Sequence, residues 1–378
     1  MPASPSQTTG RVVVGLSGGV DSAVAALRLQ QAGYAVTGLF MKNWDEDDGT
    51  DDCTAQADLA DAQQVADTLG IPLQVANFAA EYWDNVFEAF LTEYQAGRTP
   101  NPDVLCNREI KFRYFADYAS RLGADFIATG HYARLEPGDA QRSTHRLLQA
   151  RDHNKDQTYF LQGVSHDRFS NVLFPLGDLH KDEVRAIARR AGFANHRKKD
   201  STGICFIGER RFRSFLSRYL PAQEGPILTE DGAQIGTHPG AHLYTIGQRQ
   251  GLGIGGVAGH SEAPWYVAAK RLDENTLIVT QQLRALDSLW LTATDANWML
   301  AAPPEFPMIV KARIRHRQTL ADCQVTADGE GLRVTFPTPM RAVNPGQYIA
   351  FYSGEQCLGG ALITGAQPWA TRLAQAAA

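Results

Sequence analysis

A chain of 378 residues, 44% of them hydrophobic, is long enough for two or three domains with buried cores. Its net charge of −5 excludes a globally basic nucleic-acid binder, and no apolar run approaches the roughly 20 residues of a membrane-spanning helix. The opening MPASPSQTTG is neither basic nor apolar; it reads as a disordered lead, not a secretory signal, so a cytoplasmic address is expected. Cys53, Cys106, Cys205, Cys323 and Cys357 lie far apart with no CxxC pair, which fits neither a disulfide framework nor a zinc site.

In chain order, short apolar runs at 11–16, 35–41, 72–78 and 124–131 alternate with helical stretches at 21–32, 54–69, 80–96 and 109–122. Each helical stretch is followed by a glycine, Gly33, Gly70, Gly97 or Gly123, the residue expected just past a helix end. This rhythm predicts an α/β domain, a doubly wound parallel sheet with ligands at the carboxyl ends of its strands. The acidic run DEDDGTDD (45–52) reads as a solvated loop. Near 220 the character changes. Residues 225–259 hold ten glycines, too many for helices, and PWYVAAKRLDENTLIVT reads as a hairpin. Beyond about 285 strand follows strand (308–317, 319–326, 332–336, 347–352, 356–363), which predicts a small β-barrel. The expected division is an N-terminal domain at 1–213, a small glycine-rich β-containing domain at 214–283 and the barrel at 284–378.

The segment VVVGLSGGVDSAVAAL (12–27) joins a strand to a helix through a glycine loop, which makes an anion site from unpaired backbone N–H groups and the helix dipole. It lacks the lysine of a Walker loop, so γ-phosphate transfer is not expected. It does carry Asp21, a carboxylate that is repulsive beside phosphates unless a cation intervenes or it caps the helix. Two cysteines stand in chemically marked contexts. Cys106 reads as lying on a proline-broken loop, GRTPNPDVLC, just before the helix beginning near Glu109. Cys205 lies in KKDSTGICFIGERRF, inside a stretch (185–218) with ten Lys/Arg against Asp200 and Glu209. Helix-end N–H groups or several cations favour the thiolate, so both are candidate reactive cysteines. The local positive excess points to a polyanionic partner.

SGGVDS, NPDVLCNREIKF, ATGHYAR (128–134), NKDQTYFL (154–161), DSTGICFIGERRF and NPGQ (344–347) occur in that order. Together they closely resemble the bacterial tRNA-specific 2-thiouridylases, members of the PP-loop ATP pyrophosphatase superfamily. The resemblance spans about 11–365. It implies ATP and Mg²⁺ as cofactors, AMP and pyrophosphate as products, and sulfur delivered to the wobble uridine of tRNAs for Lys, Glu and Gln. It implies that Gly15, Leu16, Ser17, Gly18, Gly19, Val20, Asp21, Ser22, Met41 and Gly130 hold ATP, with Asp21 positioning Mg²⁺–pyrophosphate. Asn101, Pro102 and Asp103 would face the target base; His131, Lys155, Asp156, Gln157, Arg315, His316 and Gln347 would touch the tRNA at its anticodon loop. Cys205 would carry a persulfide, loaded by a sulfur-relay protein or a cysteine desulfurase. Cys106 would release that sulfur, leaving a Cys106–Cys205 disulfide, or act covalently on the base.

Independently of the resemblance, KARIRHR (311–317) alternates Lys311, Arg313, Arg315 and Arg317, which predicts a four-cation stripe on one strand face, suited to phosphates. Two other classes fit parts of the sequence: a non-catalytic RNA-binding protein on a nucleotide-binding fold, and another adenylating enzyme such as an amide-forming synthetase.

Overall fold

The computed structural model describes residues 9–45, 55–137, 145–199, 215–221, 223–257, 259–368 and 371–372. The acidic run beyond Asp45, Cys53 and the segment 200–214 with Cys205 lie outside the described residues.

Strands β1 (Arg11–Gly15), β2 (Ala35–Lys42), β3 (Leu73–Asn77), β4 (Phe126–Ala128) and, after a later hairpin, β7 (Val172–Leu173) form an all-parallel sheet in the order β3-β2-β1-β4-β7. β1 to β3 grow to one side and β4 to the other, so the topological switch point lies between β1 and β4. Helices cover both faces, as alternation along β1 dictates. Val12 and Val14 pack with helix α1 (Val20–Gln31), helix α2 (Ala55–Leu69) and Val184 and Ala188 of the helix Lys181–Arg190. Val13 faces the other way, into a core with Phe87, Phe112 and Phe115 from helical runs 79–95 and 102–121. The four predicted helix-ending glycines all take left-handed φ values, from 65° to 87°.

The run 102–121 corrects one expectation. It starts at Pro102, which suits a first helical position, and continues through a π-helical stretch Cys106–Tyr114 into Phe115–Arg121. Cys106 is therefore inside a helix, one turn beyond its N-terminal N–H groups, and is fully buried.

The glycine-rich stretch supplies β8 (Gly225–Leu228) and β9 (Gln234–His238), which join the predicted hairpin β10 (Tyr266–Arg271) and β11 (Thr276–Thr280) in a four-stranded sheet, β10-β11-β8-β9. Six further strands close into an antiparallel barrel: β12 (Asp287–Trp298), β15 (Gly331–Arg341), β14 (Ala321–Asp328), β13 (Met308–Arg313), β16 (Tyr348–Ser353) and β17 (Gln356–Ala366), with β17 pairing back to β12. Its interior holds Leu291, Ala312, Val325, Val334, Phe351 and Ile363. A hairpin from the N-terminal part, β5 (Ala133–Pro137) and β6 (His145–Gln149), adds to β17 at Gln356 and Cys357. Sheet hydrogen bonding therefore ties the barrel to the parallel-sheet domain.

A buried ion pair closes that junction. Arg313 and Asp156 are 3% and 1% exposed and pair directly. Arg313 also donates to the Tyr352 hydroxyl (2.8 Å) and to Thr158 Oγ1 (3.2 Å), while the Ala150 N–H donates to Asp156 Oδ1 (3.1 Å). Such a pair contributes little over apolar packing, but removing one partner strands the other without water. Asp156→Ala is expected to destabilise the protein by about 3–5 kcal/mol, and Asp156→Leu with Arg313→Met by less than either single change. Denaturant unfolding checks this; an unchanged Asp156→Ala midpoint would remove the pair from the account.

Candidate active site

The site begins where β1 ends. Gly19 is an extended N-cap (φ −87°, ψ 161°) and no side chain caps α1, so no cap side chain covers the N–H groups of its first turn. The loop ties itself: the Ser17 N–H donates to Ser22 Oγ (3.2 Å), and Ser22 Oγ–H donates to the Gly19 carbonyl (3.1 Å). Gly18 has φ +72°, and a Cβ there would lie 2.4 Å from the Asp58 carbonyl oxygen at the start of α2. A Cβ on Gly130, just past β4, would lie 2.8 Å from the Ser22 nitrogen, and one on Gly15 would lie 3.3 Å from Met41 Cε. The fold thus gathers Gly15, Ser17, Gly18, Gly19, Ser22, Met41 and Gly130 at the carboxyl ends of β1, β2 and β4. Leu16 and Val20 are buried and hold the loop from beneath.

Asp21 does not cap the helix. Both its oxygens accept from Lys181 Nζ at 2.8 Å, and Oδ1 also accepts from the Tyr132 hydroxyl at 2.8 Å. The lysine missing from the loop thus arrives 160 positions later. Lys181 opens its own helix, where its N–H donates to Asp152 Oδ2 (2.9 Å) and Glu183 accepts from the His180 N–H (2.7 Å). Sequence reasoning missed Lys181 and Tyr132. The available signal was HKDEVRAIARR (180–190), a helix start with acidic residues in its first turn and a lysine at its first position.

The basic stretch is only partly a free patch. Lys198 Nζ binds Asp58 Oδ1 (2.8 Å), Asp61 Oδ2 (2.6 Å) and the Gly18 carbonyl (3.5 Å), and Arg185 donates to the His196 carbonyl. Arg189, Arg190, Arg197, Lys199 and Arg218 are exposed; Arg210, Arg211 and Arg213 lie outside the described residues.

The predicted stripe at 311–317 is corrected. β13 ends at Arg313, so the alternation does not continue. Lys311 is exposed and pairs with Asp322 (2.8 Å), whereas Arg313 on the same strand face is buried against Asp156. The outer face of the barrel passes here from solvent into the junction with the parallel-sheet domain. Arg315 and Arg317 are exposed beyond the strand, Arg317 with φ 65°, and Arg315 donates to the Ala342 carbonyl.

Several side chains expected to touch tRNA make contacts within the protein. Asp156 is buried in its ion pair, with its backbone carbonyl 2.9 Å from His316 Nε2. His131 is 7% exposed, 2.7 Å from Thr129 Oγ1, and packs against Phe112 and Phe174. Burial, assisted by the Lys111 charge, pushes its pKa well down, so the ring is neutral. Gln347 donates to the carbonyls of Thr99 (2.8 Å) and Pro100 (3.1 Å) and accepts weakly from Asn101 (3.4 Å). The NPGQ turn is a three-way junction. Asn344 Oδ1 accepts from the Ile246 N–H (2.9 Å), and a Cβ on Gly346 would lie 2.9 Å from the Thr99 nitrogen. It thereby positions Asn101, Pro102 and Asp103 ahead of Cys106. Lys155 is half-buried, and Gln157 Oε1 accepts from the Tyr132 N–H (3.0 Å).

An uncapped glycine loop at the switch point of a parallel sheet, with a lysine–carboxylate pair at its mouth, defines a PP-loop type of domain; a central β domain and a closed barrel follow it. Family models match all three parts: "tRNA methyl transferase HUP domain" at 10–209, "tRNA methyl transferase PRC-barrel domain" at 213–281 and "Aminomethyltransferase beta-barrel domain" at 288–363. The tRNA-specific 2-thiouridylase of Marinobacter nauticus is 57% identical over 97% of this chain and 93% of its own. That of Alcanivorax borkumensis is 58% identical over 96% of this chain and 99% of its own. Among solved structures, a 4-thiouridine synthetase–RNA complex with bound ATP matches 55% of this chain and 49% of its own, at 16% identity and a TM-score of 0.34. The chain belongs to the tRNA-specific 2-thiouridylase family, a family of tRNA sulfurtransferases.

Proposed function

We propose that this protein replaces O2 of the wobble uridine in tRNAs for Lys, Glu and Gln by sulfur, spending one ATP as AMP and pyrophosphate. The observation that carries the reading is the Asp21–Lys181 pair beside the uncapped N-terminus of α1. The pair supplies a cation where a triphosphate needs one, and its carboxylate is held in place rather than left to repel the substrate. O2 of uracil is a poor leaving group; its attack on the α-phosphorus expels pyrophosphate and makes O2 the oxygen of AMP. The donors of the glycine loop favour charge developing on the departing pyrophosphate. Among the described residues no group of three or more His, Cys, Asp or Glu could hold a metal ion. The family resemblance calls for Mg²⁺, which Asp21 would hold together with phosphate oxygens. When bound there, Mg²⁺ would neutralise phosphate charge.

Sulfur then enters at C2 from a persulfide on Cys205, and AMP departs. The terminal sulfur bonds to C2 while still joined to Cys205. In the first route Cys106 attacks the Cys205 sulfur, the S–S bond breaks toward the base, and a Cys106–Cys205 disulfide remains for an external thiol to reduce. In the second route Cys106, instead of the persulfide, displaces AMP from C2. An external thiol attacks the inner Cys205 sulfur, leaving a mixed disulfide there and releasing hydrosulfide, which displaces the Cys106 thiolate from C2. The persulfide comes from a sulfur-relay protein or a cysteine desulfurase. The exposed cations Arg189, Arg190, Arg197 and Arg315 serve the tRNA backbone. Among the described residues no helix is long and apolar enough to cross a membrane.

AMP release from ATP tests the reading. It is expected only when unmodified tRNA is present, with no ADP formed. ADP as product, or AMP release indifferent to tRNA, would overturn it.

A further inference from the structure

We propose that Lys198 and Asn195 are positioning residues for the nucleotide, screening Asp58 and Asp61 from its phosphates and fixing the peptide that aims the Gly19 N–H. This rests on the function proposed above. Asn195 is 8% exposed and donates through Nδ2 to the Gly18 carbonyl at 3.0 Å, although its own Oδ1 is buried without a partner. Lys198 Nζ reaches the same carbonyl at 3.5 Å. In a planar trans peptide the C=O and N–H point to opposite sides, so anchoring the Gly18 oxygen sends the Gly19 N–H away from Asn195. Gly18 is left-handed and has no Cβ to restrict it, so nothing local prevents this peptide from turning over. The side chains of Asn195 and Lys198 supply the restraint.

The second half of the argument is charge. Helix α2 packs directly against the phosphate loop: a Cβ on Gly18 would lie 2.4 Å from the Asp58 carbonyl oxygen and 3.1 Å from Asp61 Cβ. Two carboxylates so close to a polyanion site weaken binding unless a cation sits between them. Lys198 lies 2.8 Å from Asp58 Oδ1 and 2.6 Å from Asp61 Oδ2. Partial burial disfavours its charge, but the two carboxylates outweigh this and raise its pKa, so it stays charged. A phosphate and one unscreened carboxylate about 10 Å apart at an effective dielectric of about 20 repel by about tenfold in binding.

The test measures equilibrium binding of ATP with Mg²⁺, and the KM for ATP and for tRNA in AMP release, on the full chain. Lys198→Met is expected to weaken ATP binding about tenfold with little change in KM for tRNA. Adding Asp58→Asn and Asp61→Asn to that variant should restore ATP binding, and the same two changes beside an intact Lys198 should tighten it. Asn195→Ala should weaken ATP binding without rescue by the Asn substitutions. Unchanged ATP binding in Lys198→Met, loss confined to tRNA, or failure of the rescue would overturn the inference while leaving the function intact. If the unsubstituted protein bound no ATP, the proposed function would fall and this inference with it.

Discussion

Cys205→Ser is expected to abolish thiolation and to leave no transferable sulfur on the protein. Cys106→Ser should still load a persulfide on Cys205 yet yield no thiolated tRNA. The family resemblance implies this division, and the burial of the other described cysteines agrees with it. Cys106, Cys323 and Cys357 are all buried, and burial drives the Cys323 and Cys357 thiols up to about 12. None of the three presents a sulfur to a protein-sized donor. Cys205 sits in a strongly basic segment of the sequence, which favours a thiolate or persulfide anion. Cys106 is fully buried and follows the segment whose Thr99 and Pro100 carbonyls accept from Gln347 of the barrel. Digestion after treatment with a sulfur donor, followed by peptide mass spectrometry, locates the persulfide. Its appearance on Cys53 or Cys106, or normal thiolation by either variant, would contradict this account and leave only the adenylation half.

Asp21→Asn and Lys181→Met are each expected to lower AMP formation by about a hundredfold or more. Lys181→Met strips the cation and leaves Asp21, still accepting from the Tyr132 hydroxyl, facing the phosphates. Asp21→Asn keeps the shape and frees Lys181 from its counter-ion. Because the two act as a unit, the double variant should be little worse than either single one. Their stability cost is small, about 1 kcal/mol, since Asp21 is partly in solvent. Steady-state AMP release together with thermal unfolding separates the two effects. A wild-type rate in either variant would remove the pair from the mechanism.

The parallel sheet was legible because its signals are local. Buried parallel strands read as apolar runs, and Gly33, Gly70, Gly97 and Gly123 mark the ends of the helices between them. The glycine loop was legible for the same reason. What could not be read were contacts made across the chain. Arg313 and Asp156 are 157 positions apart, and the charge pattern of KARIRHR cannot say which face of the barrel docks on another domain. Period-two alternation placed Lys311 and Arg313 on one face correctly; the junction then buried one and left the other in solvent. Lys181 escaped notice because a lysine at a helix start looks like solvated charge until the fold brings it to Asp21. Cys106 reads as lying on a loop because Pro100 and Pro102 of TPNPDVLC look like a break. Pro102 instead starts the helix, and Cys106 falls one turn inside.

The most direct test of the central claim is nucleoside mass spectrometry of unmodified tRNA for Lys, Glu or Gln incubated with the protein, ATP, Mg²⁺ and a persulfide donor. The account predicts that the wobble uridine gains the mass of one oxygen replaced by sulfur, only when ATP and the donor are both present. A wobble uridine that stays unchanged with every component supplied, or sulfur incorporated without ATP, would contradict it.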